Sequence, residues 1–389
     1  MTTNAGGERH DASAEGGPAR PSLAMHPGRA SDAGTARYAA RFTDGMVEGF
    51  YRPLEGPTDA ADARTVSAIG AGTFLGAPTD ADDAEYAAAI EVALLGGVNL
   101  IDTAINFRCQ RSERVVGRVL EGLFAEGVLE RDEVIVTTKG GYLPMDGAPP
   151  PTRNAYRAYV REQWLAKGIL TVEDVAGGAH AMTPAFLADQ IRRSRANLGV
   201  DTIDLYYLHN PEQQLEAADA ATFAPKLRAA FECLEAQVAS GAIAAYGVST
   251  WHGVRVPPRS PGHLSLDELV SVAREVAGDA HHLRAVQLPI NFAIPDAMRL
   301  HTQFFRGRLR TALEVAEELG LSVVASAPLN QGSLTSDLPP ALRAHFPAQA
   351  TDAGRALSFV AGLPGVRSAV VGARQASHVA ENLETFARR

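Results

Sequence analysis

From residue 65 onward the chain alternates short apolar, β-branched runs with segments of helical period, and this alternation constrains the fold more than any other feature. Eight runs read as strands: 66–70, 98–102, 133–139, 202–209, 243–250, 283–291, 321–329 and 366–374. Val98, Leu100 and Ile101 are typical, since a parallel strand buried on both faces is apolar almost throughout. The intervening segments carry helical faces. Tyr86, Ile90 and Leu94 fall at i, i+4 and i+8, and Val115, Leu120 and Phe124 follow in a segment from about 112. Thr183-Pro184 opens a helix with a cap residue and a first-turn proline; Leu187, Ile191 and Leu198 line it, and Gly199 stops it. Further helices are expected around Phe231 and Leu234, over 266–276, 308–319 and 356–360, and last around Val379 and Leu383. Strands alternating with helices in this way imply a closed (β/α)8 TIM barrel. The rival, a doubly wound sheet, calls for a GxGxxG after an early strand, and none is present.

The barrel is expected to occupy residues 46–389 as one unit. An N-terminal β-hairpin is expected between 49–54 and 64–70, across a turn rich in Gly, Pro and Asp. Residues 1–45, rich in Gly, Ala, Ser, Pro, Arg and Asp without apolar period, read as a disordered tail. Three connections are long: 140–182, 251–265 and 292–307. All leave carboxyl ends of strands, so they are long βα loops over the C-terminal face of the barrel, where active sites lie. Tyr156, Tyr159 and Trp164 suggest that the insertion at 140–182 is an ordered lid.

Charge and cysteine content narrow the class. A net charge of −9 argues against a nucleic-acid surface. Cys109 and Cys233 make no disulfide framework, and neither a membrane-spanning segment nor a signal-peptide core is visible, so a cytoplasmic protein acting on a small molecule is expected.

Three expected strands end on ionisable residues: Asp102, Lys139 and His209. Singly, each has a plain explanation as a helix cap, a solvated strand end or a packing residue. Together on one rim, they are better explained as a site. A Lys–Asp ion pair there would tune a neighbouring hydroxyl or imidazole for general acid work.

The motifs GTFLG, NLIDTAINF with SERVVG, VIVTTKGG, DLYYLHNPE, YGVST, VQLPIN and VVGAR with HVAENL occur in this order. In these motifs the chain resembles the aldo-keto reductases over nearly its whole length from Thr65. The resemblance implies hydride transfer between NADP(H) and a carbonyl compound, at a tetrad of Asp, Tyr, Lys and His. It places the tetrad's Asp on Asp102, its Lys on Lys139 and its His on His209, but its Tyr on Phe107, which has no proton to give. It also assigns Ser249, Thr250 and Gln287 to the nicotinamide carboxamide, and Gly72, Thr73 and Phe74 to the border of that ring. Ser326 stands where the family often stacks an aromatic ring. Leu329, Gln331 and Ser333 would follow the pyrophosphate, Arg374 the 2′-phosphate, and His378, Glu381 and Asn382 the adenine. For the last three, the alternative is a solvated final helix.

Four functions remain open on the sequence. The first is carbonyl reduction with the proton supplied by another group, His209 or Tyr142, although Tyr142 could equally be an aromatic anchor of its loop. The second is altered chemistry in the same pocket: dehydration, epimerisation or C=C reduction. The third is a silent NADP(H)-binding sensor. The fourth, metal-dependent hydrolysis through His281-His282 with His209 and Asp102, is disfavoured because the His pair opens a strand and so lies at the opposite end of a barrel; no metal is expected.

Overall fold

The computed structural model describes residues 23–55, 63–217 and 220–388. In chain order the regular elements begin with α1 (Asp32–Ala40), β1 (Tyr51–Pro53), β2 (Thr65–Ser67), β3 (Ile69–Gly72), α2 (Asp80–Leu95) and β4 (Leu100–Asp102). Next come α3 (Arg111–Ala125), β5 (Ile135–Gly140), α4 (Arg153–Val160), α5 (Pro184–Leu198), β6 (Leu205–His209), α6 (Glu212–Ala217) and α7 (Ala220–Ala239). The third group is β7 (Tyr246–Ser249), α8 (Leu266–Ala277), β8 (Leu283–Pro289), α9 (Asp296–Arg299), β9 (Gln303–Phe305), β10 (Arg308–Arg310) and α10 (Ala312–Glu318). The chain closes with β11 (Ser322–Ser326), α11 (Pro340–His345), α12 (Asp352–Ala361), β12 (Val366–Gly372) and α13 (Ala376–Glu384).

Eight strands close a parallel barrel in the order β11-β12-β3-β4-β5-β6-β7-β8, as the alternation implied. The helices bury their apolar stripes on its outer surface: Tyr86, Ile90 and Leu94 of α2, Val115 and Leu120 of α3, and Leu187, Ile191 and Leu198 of α5 share one core with Ile101 and Val136 of the strands. The caps work as the sequence suggests. Thr79 accepts from Asp82 N–H at the start of α2, and Gly199 ends α5 in the left-handed conformation. The hairpin also forms, with Tyr51 opposite Ser67 and Pro53 opposite Thr65. Its Leu54 and Val66 pack with Leu100, Ile135, Val324 and Val370, sealing the amino end of the barrel with apolar side chains. No helix among the described residues is long and apolar enough to cross a membrane.

Several boundaries differ from the sequence reading. The run at 66–70 is two strands: Val66 belongs to the hairpin, and the barrel strand starts at Ile69. The tail expected over 1–45 is ordered from residue 23, residues 1–22 lying outside the described ones. α1 is capped by Ser31, buries Tyr38 completely, and lets Arg37 reach Glu130, Asp132 and Glu133. Its buried face is otherwise small residues, so no apolar period marks it. The helix expected over 308–319 begins only at Ala312, with a capping box of Thr311 and Glu314. Residues 303–310 instead form a second hairpin, β9–β10, whose Arg306 and Gly307 both have positive φ, as a type I′ turn requires. The 140–182 insertion, expected to be a lid, is ordered around an apolar cluster in which Trp164 packs edge-on against Tyr159 and against Phe186 of α5, beside Leu143 and Leu170.

Candidate active site

Strand ends β4 to β8 bring Asp102, Lys139, His209, Ser249 and Gln287 to one rim, with His209 in register with Ser249 and Ser249 with Gln287. Lys139 Nζ lies 2.5 Å from Asp102 Oδ2 and 2.8 Å from the Thr103 carbonyl. Asp102 Oδ1 accepts from Thr137 Oγ1 at 2.8 Å and from Gln287 Nε2 at 2.9 Å. Thr137 precedes Lys139 by two residues, so strand periodicity alone puts both side chains on the inner face. Both charges are almost wholly buried. Burial pushes the Lys139 ammonium below its ordinary range, against the pull of Asp102.

Phe107 stands where the sequence suggested, at the centre of this group. Its ring centroid is 5.0 Å from that of Phe74 and 6.0 Å from that of His209, and Lys139 Nζ sits 5.2 Å over the ring. Two of the ammonium's three protons therefore go to Asp102 and Thr103, and the aromatic ring takes the side where a phenol would have accepted the third. The loop beyond is held in an unusual shape, with φ of 46°, 57° and 68° at Arg108, Cys109 and Gln110. Arg108 donates to the Ala77 carbonyl and Asp83, and Gln110 Nε2 donates to the Met145 carbonyl of the lid. The strain is offset by these contacts on both sides.

His209 is half-buried, with an inaccessible Nδ1 that has no hydrogen-bond partner among the described residues. Burial, and next the Lys139 ammonium, hold its pKa well below the ordinary imidazole value, so the ring is neutral. The ring of Tyr142 stands edge-on 5.0 Å from it. The Tyr142 hydroxyl accepts from Asn210 Nδ2 at 2.9 Å, and no described residue accepts its proton. Burial raises its pKa, and the Asn210 contact partly opposes that.

The sequence-assigned cofactor residues divide into two groups. Gln287 joins Ser249 (Oγ to Oε1, 3.0 Å) to Asp102, which leaves one Gln287 amide proton and the Ser249 lone pairs for a carboxamide. Thr250 donates to Glu212 Oε1 at 2.7 Å. Thr73 donates to Thr103 Oγ1 or the Asp102 carbonyl, while Phe74 is 55% exposed at the mouth. These residues fit a nicotinamide end. Gly72 has a structural reason of its own, because a Cβ there would meet Val370 Cγ1 at 2.8 Å. Ser326 ends β11 beside Pro289, with no aromatic ring in its place. Leu329, Gln331 and Ser333 lie in or beside the turn Asn330–Gly332 after β11, where Ser333 Oγ shares contacts with Asn330. Arg374 is already paired, with Asp82 at 2.9 Å and Glu85 at 2.6 Å, so a 2′-phosphate there would have to exchange with two carboxylates. On α13, Asn382 is buried, Glu381 is half-buried and His378 is exposed.

The sequence reading missed three residues. Glu212, fully buried, accepts from Thr250 Oγ1 and Trp251 N–H and leaves Oε2 without a partner among the described residues. Its place in DLYYLHNPE was the available signal. Asn210 follows His209 directly. His180, in the lid, had no signal, since sequence spacing says nothing about where a 43-residue excursion, 140–182, returns. His282 pairs with Glu235 at the start of β8, at the far end from His209. Among the described residues no cluster of three or more His, Cys, Asp or Glu is placed to hold a metal ion.

Fold and rim together define a (β/α)8 barrel with a buried ion pair and a neutral histidine at its carboxyl end. Residues 68–256, just under half of the chain, match the model of the aldo/keto reductase family. It is 30% identical over 169 residues to the D-threo-aldose 1-dehydrogenase of a Pseudomonas species, a match spanning 43% of this chain and only 44% of that protein. Among solved structures, an aldo/keto reductase from Klebsiella pneumoniae in complex with NADP and acetate shares its fold (TM-score 0.53, 21% identity, 83% of this chain and 86% of that one). So does the holo form of an aldo-keto reductase from Bacillus halodurans (TM-score 0.56, 19% identity, 86% and 90%).

Proposed function

We propose that the protein is an NADP(H)-dependent oxidoreductase that reduces the carbonyl group of a small molecule, with Tyr142 supplying the proton that Phe107 cannot. The carrying observation is Tyr142, whose ring stands edge-on to His209 and whose hydroxyl is oriented by Asn210 Nδ2 with its own proton unspent among the described residues. The family match and the NADP-bound neighbour support the cofactor, as does the unspent polarity of Ser249 and Gln287.

NADPH, when bound, supplies a hydride to the substrate carbonyl carbon. The chain's residues handle the rest. Ser249 and Gln287 orient the carboxamide. Lys139 turns the positive end of its ion pair with Asp102 towards the Phe107 ring, on the side where oxygen gains charge. Neutral His209 serves as a hydrogen-bonding wall for the carbonyl oxygen, since its low pKa excludes it as a cationic acid. Tyr142 gives its hydroxyl proton to that oxygen and recovers one from water. Its raised pKa makes it a weaker acid than a phenol touching Lys139, so turnover is slow.

Fluorescence titration with NADPH tests the first half; absence of any saturable change refutes the cofactor. With cofactor bound, Tyr142→Phe should lower carbonyl-dependent NADPH oxidation by about 10²–10⁴-fold. Undiminished turnover in that variant refutes the donor.

A further inference from the structure

The two ends of the lid meet again beside the site, and their contact is built around a histidine that the chemistry above does not use. Leu143 N–H donates to the Ala179 carbonyl and Ala181 N–H to the Gly141 carbonyl, each at 2.8 Å, so Tyr142 and His180 face each other across a short antiparallel bridge. His180 is 1% exposed. Its Nε2 lies 2.8 Å from the carbonyl oxygen of His209, and its Nδ1 lies 3.3 Å from Gln214 Nε2. Gln214 is itself oriented: Lys226 Nζ donates to its Oε1 at 3.0 Å, and its Nε2 donates to the His180 carbonyl at 2.8 Å. A carbonyl only accepts, so the His180 ring carries its proton on Nε2; the Nδ1 lone pair faces Gln214 Nε2, whose two protons are shared with the His180 carbonyl and the Asp174 carbonyl at 3.2 Å. Burial keeps it in that neutral form by lowering its pKa to about 4.

Two further contacts show how closely this junction is fitted. Gly141 has φ of 145°, and a Cβ there would lie 2.8 Å from both His180 Nε2 and the His209 carbonyl oxygen, so no other residue allows the approach. The Tyr142 ring stands edge-on between two imidazoles, with centroids 5.2 Å from His180 and 5.0 Å from His209.

We infer that His180 is a positioning residue: its Nε2–H fastens the returning end of the lid to the β6 terminus and so holds Tyr142 against His209. The catalytic half of this inference rests on the Tyr142 reading above; the fastening itself does not. Its tests therefore begin without cofactor. ¹⁵N shifts of the His180 ring should show a neutral, Nε2-protonated tautomer at neutral pH, and an Nδ1-protonated ring overturns the assignment. In His180→Ala, amide exchange over 141–143 and 179–181 should accelerate about tenfold, the scale of one lost buried hydrogen bond, while exchange in the barrel strands stays the same. His180→Gln, which keeps a donor near Nε2, should restore protection. Gly141→Ala, which parts the same contact from the other side, should reproduce the loss. Unchanged exchange in His180→Ala overturns the inference. With NADPH present, the same variant should lower kcat about tenfold with little change in the NADPH KM, and Gln should rescue it. If Tyr142→Phe disables the enzyme and His180→Ala leaves kcat untouched, positioning is overturned. If Tyr142→Phe turns over normally, only the donor assignment falls, and the exchange experiment decides the fastening.

Discussion

Phe107→Tyr offers the sharpest perturbation, because it adds one hydroxyl at a position whose surroundings are known atom by atom. The new group would arise beside Lys139, whose Nζ already lies 5.2 Å from the ring centroid and has one proton not committed to Asp102 or Thr103. A buried phenol without a partner costs about 1–3 kcal/mol, but here the ammonium can donate to it, so the variant should fold with close to native stability. The same contact stabilises a phenolate and makes the new group a better acid than Tyr142, whose nearest polar neighbour is the uncharged Asn210. A well-placed general acid is worth about 10²–10⁴-fold, or about 2.7–5.4 kcal/mol at about 1.36 kcal/mol per tenfold. The assay is kcat/KM for NADPH oxidation with small aldehydes in a double-mutant cycle. Tyr142→Phe should lose activity, Phe107→Tyr should gain it, and the double variant should match Phe107→Tyr because the new donor makes the old one redundant. If Phe107→Tyr binds NADPH and gains nothing, the surrounding site is not arranged for carbonyl reduction and the reasoning fails.

Three other perturbations have determined signs. Tyr38→Ala removes a fully buried ring of α1 and should lower unfolding free energy in urea by about 3–5 kcal/mol; a negligible loss would show that α1 is not part of the folding unit. Asp352, between Arg343 and Arg355, has its carboxyl lowered from 3.8 to about 2, so its stabilisation is complete above pH 3.8 and is lost as pH falls towards 2. The melting temperature of Asp352→Asn should therefore lie below that of the parent at pH 6 and converge with it near pH 2. Glu85→Gln frees part of the Arg374 guanidinium and should tighten NADPH relative to NADH in fluorescence titrations, while Arg374→Ala should do the reverse; equal effects on both cofactors would remove Arg374 from the 2′-phosphate site.

The barrel was legible because its strands open on buried apolar runs and the helices that cover it keep an apolar stripe, as Val98–Leu100–Ile101 and Tyr86–Ile90–Leu94 show. The rim was legible for the same reason, since Asp102, Lys139 and His209 interrupt such runs at their ends. What escaped depends on contacts distant in sequence or on small residues. α1 packs through Gly34, Thr35 and Ala39 around a single large ring, so its face has no period. The β9–β10 hairpin announced itself only by an Arg-Gly turn at the boundary between the expected connection 292–307 and the helix expected from 308. Gln287 was assigned to the cofactor from its position, yet its amide also holds Asp102, a partner 185 residues away. Phe107 is the reverse case. Composition files it as core, and only its place in NLIDTAINF marks it as part of the site.

The ion pair itself needs separating from the chemistry attributed to it. Lys139 and Asp102 are buried, and each is the other's principal compensation, so the pair would persist for structural reasons in a barrel that had lost all activity. Removing one partner leaves an uncompensated buried charge, at a cost of about 3–5 kcal/mol. Lys139→Met should therefore destabilise by about that amount, whereas Lys139→Met combined with Asp102→Leu should recover most of it, because a well-packed apolar pair is close to neutral relative to a buried salt bridge. Activity should behave differently. If the ammonium supplies positive charge where the oxygen becomes negative, the double variant stays inactive although it folds and binds NADPH. Urea denaturation and NADPH titration on the two variants read stability and binding, and aldehyde-dependent oxidation reads the chemistry. A stable double variant that still reduces aldehydes at the parent rate would show that the pair holds the barrel together and does nothing for the reaction.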